Sequence, residues 1–281
     1  MSDEIFLLKY DILKDVKHCF TTRTGGVSVG GQKSLNLSFS REKSQENVRE
    51  NYRRVAEKLG VDYHNMTRVP QKHTNHVLKV TKDLVGIGVS KQLTDNIKEF
   101  GYDAMITDVP GAVLCTSHAD CVPVLLYDSK NNAVAAIHSG WRGTVQKICK
   151  ETVDSMATEY STSPQLLKAV IGPSIGIDNF ETDRDVFDAL KNAFADKFDE
   201  CASKYICEKY NNEGKFKYYI SVSGFVYETL IEAGLMPENI FKDNRCTFEN
   251  SDLFFSHRRD NGDTGVMAAM ISVKKLGAAY V

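Results

Sequence analysis

The chain has 281 residues, of which 42% are hydrophobic, 26% charged and 10% aromatic, and this excludes a disordered, collagenous or coiled-coil protein. With 35 basic and 37 acidic residues the formal net charge is −2, so no global field draws the protein to nucleic acid or to an acidic membrane. Neither partner is expected, and any anion site must be local.

Charges interrupt every apolar run from Met1 to Lys9, so neither a secretory leader nor a membrane span is expected, and a cytoplasmic location is the expectation. The first periodic segment is helical, over residues 44–59. Ser44 caps it, and Val48, Tyr52, Val55, Ala56 and Leu59 form its apolar stripe. Further helices are predicted over 144–160, 183–201, 223–233 and 264–275. Strands are predicted over 77–80, 112–115, 122–127, 133–137, 167–171 and 217–222. Strands and helices alternate without a strict βαβ rhythm and without repeats or a linker. This points to one α+β domain, a layered sandwich of mixed sheets flanked by helices, over residues 1–281. Seven cysteines without a Cys-x-x-Cys pair read as thiols in a reducing compartment, most of them buried packing residues.

Chemistry concentrates in the stretch from Ala119 to Thr144, which reads as a hairpin leading into a helix. A two- or four-residue loop would make Cys121 and His138 diagonal neighbours on one face, roughly 7 Å apart at Cα. That spacing allows both to reach one metal. Pro123 lacks an N–H and suggests an edge strand or a bulge. Alternation turns His118 and Asp120 away from the face of Cys121, which makes His118 a poor ligand candidate. A third ligand comes from His73 or His76, and spacing alone does not choose between them. Two His and one Cys would give Zn²⁺ an open fourth position, as in catalytic sites. The competing reading is that Cys121 packs, His138 is a satisfied core imidazole and His73 is solvated.

Behind His138, Gly140, Arg142 and Gly143 lead to a helix start at Thr144, a place for a phosphate; the alternative is a tight loop with a plain cap. Two more loops pair arginine with small polar residues: Arg23 with Gly25 and Gly26, ahead of Asn36, and Arg258 with Arg259, ahead of a helix start at Thr264. Solvated loops are the alternative for both. His18, His64 and His257 read as structural. Gly86-Ile87-Gly88 lacks the setting of a dinucleotide site, and no Walker loop, serine-nucleophile elbow, zincin or base-deaminase pattern is present.

Several blocks in one order resemble the YfiH-like family, the laccase-domain proteins once called polyphenol oxidases and now regarded as purine nucleoside phosphorylases. They are His18-Cys19-Phe20-Thr21-Thr22-Arg23, Ser34-Leu35-Asn36-Leu37, Gln71-x-His73, Asp103-Ala104, Ala119-Asp120-Cys121-Val122-Pro123, His138-Ser139-Gly140-Trp141-Arg142-Gly143-Thr144, Ile171-Gly172-Pro173-Ser174-Ile175-Gly176 and Phe254-Phe255-Ser256-His257-Arg258-Arg259. The resemblance covers nearly the whole chain. It implies metal ligands at His73, Cys121 and His138, and a zinc enzyme, with copper as the family's alternative. It also implies phosphorolysis of adenosine, guanosine, inosine and methylthioadenosine with some adenosine deamination. The expected catalytic residues are Asp120, Cys121 and Arg142, and the expected substrate and phosphate contacts are Arg23, Asn36, Gln71, Thr144 and Arg258. Asn179, Ser221, Val226 and Val266 depart from the family pattern, while Glu181 keeps it. Purine nucleosides and phosphate are the expected partners, and a monomer or weak homodimer the expected state. Rival readings are a Cys/His hydrolase with Cys121 as nucleophile, His138 as base and Asp120 as orienter, a copper-dependent polyphenol oxidase, and a binding protein without chemistry.

Overall fold

The computed structural model describes residues 4–274. Its strands are β1 (Leu7–Leu8), β2 (Lys17–Thr21), β3 (Met66–Thr67), β4 (Val77–Lys79), β5 (Ala104–Thr107), β6 (Val113–His118), β7 (Val122–Asp128), β8 (Ala133–Ser139), β9 (Lys168–Ile171), β10 (Glu181–Thr182), β11 (Ile206–Tyr210), β12 (Phe216–Ile220), β13 (Ile240–Lys242) and β14 (Met267–Ser272). Its helices are α1 (Gln45–Leu59), α2 (Asp95–Phe100), α3 (Trp141–Val145), α4 (Ile148–Tyr160), α5 (Arg184–Phe194), α6 (Phe198–Tyr205) and α7 (Val222–Glu232). One mixed sheet runs β13-β9-β7-β8-β5-β4, a second β1-β2-β14-β6-β3, and a small third β10-β12-β11. This is the expected α+β architecture of mixed sheets flanked by helices.

Strand alternation explains the layering. Val124, Leu126, Ala135, Ile137, Ala169 and Ile171 face one way and meet Cys149, Val153, Leu190, Phe225 and Leu230 of the helices. Leu125, Tyr127, Val134, Ala136 and Val170 face the other way and meet Phe20, Leu114, Ala269 and Ile271 of the second sheet. That second sheet turns Cys19, Val113, Cys115, Ala268 and Met270 outward onto Val48, Tyr52, Val55 and Leu59 of α1. Both large sheets are therefore covered on both faces, which is why their strands read as nearly continuous apolar runs. The cap of α1 is as expected, with Ser44 accepting from the Asn47 amide.

Three expectations are corrected. The segment 264–275 is not a helix: β14 lies between β2 and β6, its Ala and Met residues buried on both faces, and residue 275 lies outside the described residues. A strand covered on both sides carries no period that separates it from a buried helix. The helix 144–160 is two helices, α3 starting at Trp141 and α4 at Ile148, broken where Lys147 takes a left-handed φ of 59°. The helix 183–201 is likewise interrupted at residues 195–197 between α5 and α6.

A candidate metal centre in a cation-lined cavity

The hairpin of β7 and β8 has the expected register, with Pro123 opposite His138 and Asp128 opposite Ala133. The connecting turn is fixed by Asp128, whose carboxylate accepts from the amides of Lys130 and Asn131. Pro123 is not on an edge, because β7 lies between β8 and β9. It is tolerated because the pairing with β9 only begins at Val124, and the neighbouring Gly172 amide donates to the Pro123 carbonyl. Cys121 precedes this strand and His138 is the last but one residue of the partner strand, so the two side chains meet at the mouth of the hairpin.

His73 arrives from the loop between β3 and β4 with a left-handed φ of 59°. The sulfur of Cys121 and Nε2 of His73 are 3.9 Å apart, and one donor atom from each of His73, Cys121 and His138 lies within 4.8 Å of the others. A tetrahedral zinc bound to one sulfur and two nitrogens sets such atoms roughly 3.5 Å apart, so the cluster fits one ion. His76 is elsewhere: it stacks on Phe100 and its Nδ1 faces the Gly101 carbonyl. Gly140 leaves room for the cluster, since a Cβ there would sit 2.8 Å from His73 Cδ2 and 3.0 Å from the Cys121 sulfur.

The buried Asp103, just before β5, organises the site. One carboxylate oxygen accepts from Nδ1 of His138 at 2.8 Å, which leaves Nε2 to give a lone pair to a metal that displaces its proton. The other accepts from the amide and hydroxyl of Thr74 at 2.7 and 2.9 Å and from the Lys72 amide at 3.1 Å, which pins the loop that carries His73. Gln146, in the break between α3 and α4, ties the same loop by donating to the His73 carbonyl at 3.0 Å. Burial opposes ionisation of Asp103, but His138 and Thr74 hold its carboxyl down to about 2. Burial likewise raises the thiol of Cys121, and the facing His138 and His73 outweigh it and bring it down to about 6. His138 moves the opposite way, because the Cys121 thiolate and Asp103 outweigh its burial. The sulfur is thus poised as a thiolate beside positive charge, the state a metal ion requires of it.

The donors open onto a cavity of about 360 Å³. Arg41, Arg68 and Arg258 reach it from three separate segments, and Ala119, Ile175, Phe180 and Val266 supply apolar wall. Arg68 approaches Ser117 Oγ at 3.5 Å, Arg41 donates to the Gly262 carbonyl at 3.3 Å, and Arg258 to the Glu181 carbonyl at 2.9 Å. None of these partners is a carboxylate, and Arg41 also meets the His257 ring, so the three guanidinium charges are not neutralised by an ion pair at the cavity.

Of the predicted contacts, Gln71 and Arg258 line this cavity and three others do not, nor does Arg142, expected as catalytic. Arg142 is exposed and stacks on Trp141. Thr144 lies inside α3 rather than capping a helix; it is buried, and its hydroxyl is engaged with Ser139 and the Gly140 carbonyl. Arg23 reaches the carbonyls of Ser251 and Lys33. Asn36 is fully buried, and its side-chain oxygen accepts from the amides of Ser38 and Val266. The hydroxyl of Thr144, the amide oxygen of Asn36 and the terminal nitrogens of Arg23 are spent on neighbouring chain, whereas Arg142 is held by its stacking on Trp141. Gln71 is likewise engaged, pairing with both the amide and the carbonyl of Ser117 at 2.7 Å.

Asp120 borders the cavity, but its two oxygens accept from the Thr247 hydroxyl and the Arg258 amide, both at 2.7 Å, so it anchors the loop that brings Arg258 in. The alternation argument for His118 fails beyond the end of β6, because the chain turns through the left-handed Asp120, with φ 86°. His118 therefore borders the same cavity, although it is not in the donor cluster. His257 is also a cavity residue, with Nδ1 3.3 Å from Arg41, rather than only a structural one. His18 is structural as expected, its ring held between the Tyr10 amide and the Val16 carbonyl. Sequence reading missed Asp103, Arg41, Arg68 and Gln146 as site residues. Only Asp103 had a signal, its place beside Ala104 in one of the blocks that carry the family resemblance.

Comparison with known proteins agrees with this picture. Residues 17–274 match the family described as multi-copper polyphenol oxidoreductase laccase. The chain is 32% identical over 262 residues to purine nucleoside phosphorylase YlmD of Bacillus subtilis, covering 93% of this chain and 90% of the relative. It is 33% identical over 275 residues to a purine nucleoside phosphorylase of Bacteroides thetaiotaomicron, covering 96% and 97%. Among solved structures, Bacillus licheniformis YfiH superposes with a TM-score of 0.85 at 30% identity over 97% of both chains. YlmD of Geobacillus stearothermophilus gives 0.81 at 29% over 94% of both. The match over nearly the whole length, in sequence and in fold, shows that this chain belongs to the laccase-like YfiH family, whose relatives bear the name purine nucleoside phosphorylase.

Proposed function

We propose that the chain, as one catalytic unit over residues 1–281, is a zinc-dependent purine nucleoside phosphorylase acting on adenosine, guanosine, inosine and methylthioadenosine, with adenosine deamination as a side activity. The observation that carries this reading is the convergence of His73, Cys121 and His138 on the floor of a cavity walled by three arginines. Zinc bound there supplies a Lewis acid for an oxygen of the reactants. Arg41, Arg68 and Arg258 hold phosphate against C1′ of the ribose and offset its charge. The new C–O bond forms as the bond from C1′ to the purine nitrogen breaks, and the base departs with the electron pair and takes up the proton that the attacking hydrogen phosphate gives up. Asp103 keeps His138 in one tautomer, and Asp120 keeps Arg258 in place. This moves the phosphate contacts from Arg23, Arg142 and Thr144 to the arginines that face the cavity. Adenosine deamination requires the same cavity to hold the purine so that water replaces the 6-amino group.

A Cys/His hydrolase has one observation in its favour: Cys121, His138 and Asp103 lie in the order nucleophile, base and orienter, with Asp103 in the place expected of Asp120. His73, 3.9 Å from the sulfur, has no part in that scheme and is explained by a metal. A multi-copper centre needs donors for several ions, and the described residues present one group of three. The test is inosine and adenosine with and without phosphate, on protein of measured metal content. Phosphate-dependent release of base and ribose 1-phosphate in proportion to zinc is expected. Phosphate-independent hydrolysis, or full turnover in metal-free protein, would overturn the proposal.

A further inference from the structure

We propose that His118 is a specificity-determining residue of this site, a buried imidazole that hydrogen-bonds the base of a bound purine nucleoside. The inference rests on the nucleoside reading above and deepens it. His118 ends β6 opposite Met267 of β14, so Ala119 and Val266 follow side by side into the cavity wall. Ile175 is held beside them by its amide, which donates to the Asp120 carbonyl at 3.0 Å. The imidazole thus sits in the apolar part of the wall.

His118 is only 2% exposed, yet neither Nδ1 nor Nε2 has a hydrogen-bond partner. Burial alone does not produce this. His18 is 3% exposed and has both nitrogens engaged, by the Tyr10 amide at 2.9 Å and the Val16 carbonyl at 3.0 Å. An unpaired buried polar group lowers the stability of the free protein, and a ligand that supplies the partner recovers that loss on binding.

A neutral ring gives little to a phosphate, for which Arg41, Arg68 and Arg258 are at hand. Burial, then the charge of His138, pushes the His118 imidazole down to about 3, so at neutral pH it offers one N–H and one lone pair. A half-turn about χ2 exchanges each nitrogen with a carbon in the same place, so the ring edge can present either without backbone movement. A purine shows an acceptor at N7 and, at position 6, an oxo acceptor or an amino donor. One neutral imidazole answers each of them by choice of tautomer, which accounts for a site that takes both 6-amino and 6-oxo purines.

The test replaces His118→Phe, which keeps a buried ring and removes both nitrogens, and His118→Gln, which keeps a donor and an acceptor. Kinetics with inosine and adenosine at saturating phosphate are combined with metal analysis, thermal melts and calorimetric binding of hypoxanthine and adenine. In the Phe variant the nucleoside KM is expected to rise about tenfold or more, the loss typical of a missing polar contact to substrate. The phosphate KM, the zinc content and the melting temperature should hold, and the Gln variant should recover part of the affinity.

A nucleoside KM and base affinity within twofold of wild type in both variants would overturn the role, as would loss of zinc or a large fall in melting temperature. Should the wild type bind free base but fail to phosphorolyse nucleosides, the phosphorylase reading fails while weaker base binding by the Phe variant still supports His118. Absence of base binding by the wild type would overturn the His118 role itself.

Discussion

Two cavities of this protein differ in size and in chemistry, and the smaller is the candidate site. The larger, about 700 Å³, is bounded by Lys9, Lys14, Lys17, Asp11, Asp15 and Asp62, among others. Its polar groups are of mixed sign and several are occupied: His18 is spent on backbone, Lys17 donates to the Gly60 carbonyl, and Asp15 pairs with Lys168. The smaller, about 360 Å³, gathers three metal-capable donors and three arginines, none of them paired with a carboxylate. Chemistry follows unspent donors and charge, not volume.

The contrast is broken or sharpened by five measurements, from the largest expected effect to the smallest. Cys121→Ala should abolish bound metal and reduce nucleoside turnover to background, read by metal analysis and product assay together. Retained turnover without metal would return the smaller cavity to the rank of the larger. Asp103→Asn should weaken metal binding by about 10–100-fold, since it removes the carboxylate that orients a ligand histidine. Its folded carboxyl lies at about 2, below the ordinary value, so the stability it lends is present above about pH 4 and is lost as the pH falls through 2. The Asn variant should therefore melt lower at neutral pH, with the gap from wild type closing in acid.

Gly140→Ala should raise the metal dissociation constant about tenfold or more, because the new methyl meets His73 and Cys121 at a cost of roughly 1–3 kcal/mol. A metal titration checks it, and unchanged affinity would show that the cluster can shift aside. Arg68→Ala should raise the phosphate KM about tenfold, as expected for losing one hydrogen bond to a charged group worth about 1.5–3 kcal/mol. A rise in the nucleoside KM instead would reassign that wall. Lys14→Ala, in the larger cavity, should leave turnover and metal content within about twofold of wild type, as for most surface substitutions. A clear loss there would show that the larger cavity also serves the reaction.

The donor cluster was legible because a hairpin's register is local. Once Asp128 fixes the turn, the positions of Cys121 and His138 follow from the pairing alone. The third ligand was not legible in this way: His73 and His76 lie on one loop, and only the hold of Asp103 on Lys72 and Thr74 decides which of them turns inward. The phosphate contacts were misplaced for a related reason. Arg23, Arg142 and Thr144 have the composition of an anion loop, but Arg23 and Thr144 are bonded to nearby chain and Arg142 stacks on Trp141 outside the cavity, whereas Arg41 and Arg68 carry no motif and reach the cavity through the packing of two loops. The helix expected at 264–275 failed because burial on both faces of β14 erased the two-residue period.

The order of residues by itself determined the class of fold, the capped amphipathic helix α1, the central hairpin and the pairing of a cysteine with a histidine across it, because each depends on contacts short in sequence or on periodicity. Tertiary structure alone decided which histidine completes the cluster, which arginines are left with charge to give, and that His118 is buried without a partner. Those outcomes depend on which polar groups are already satisfied by distant segments, and no local pattern of residues encodes that.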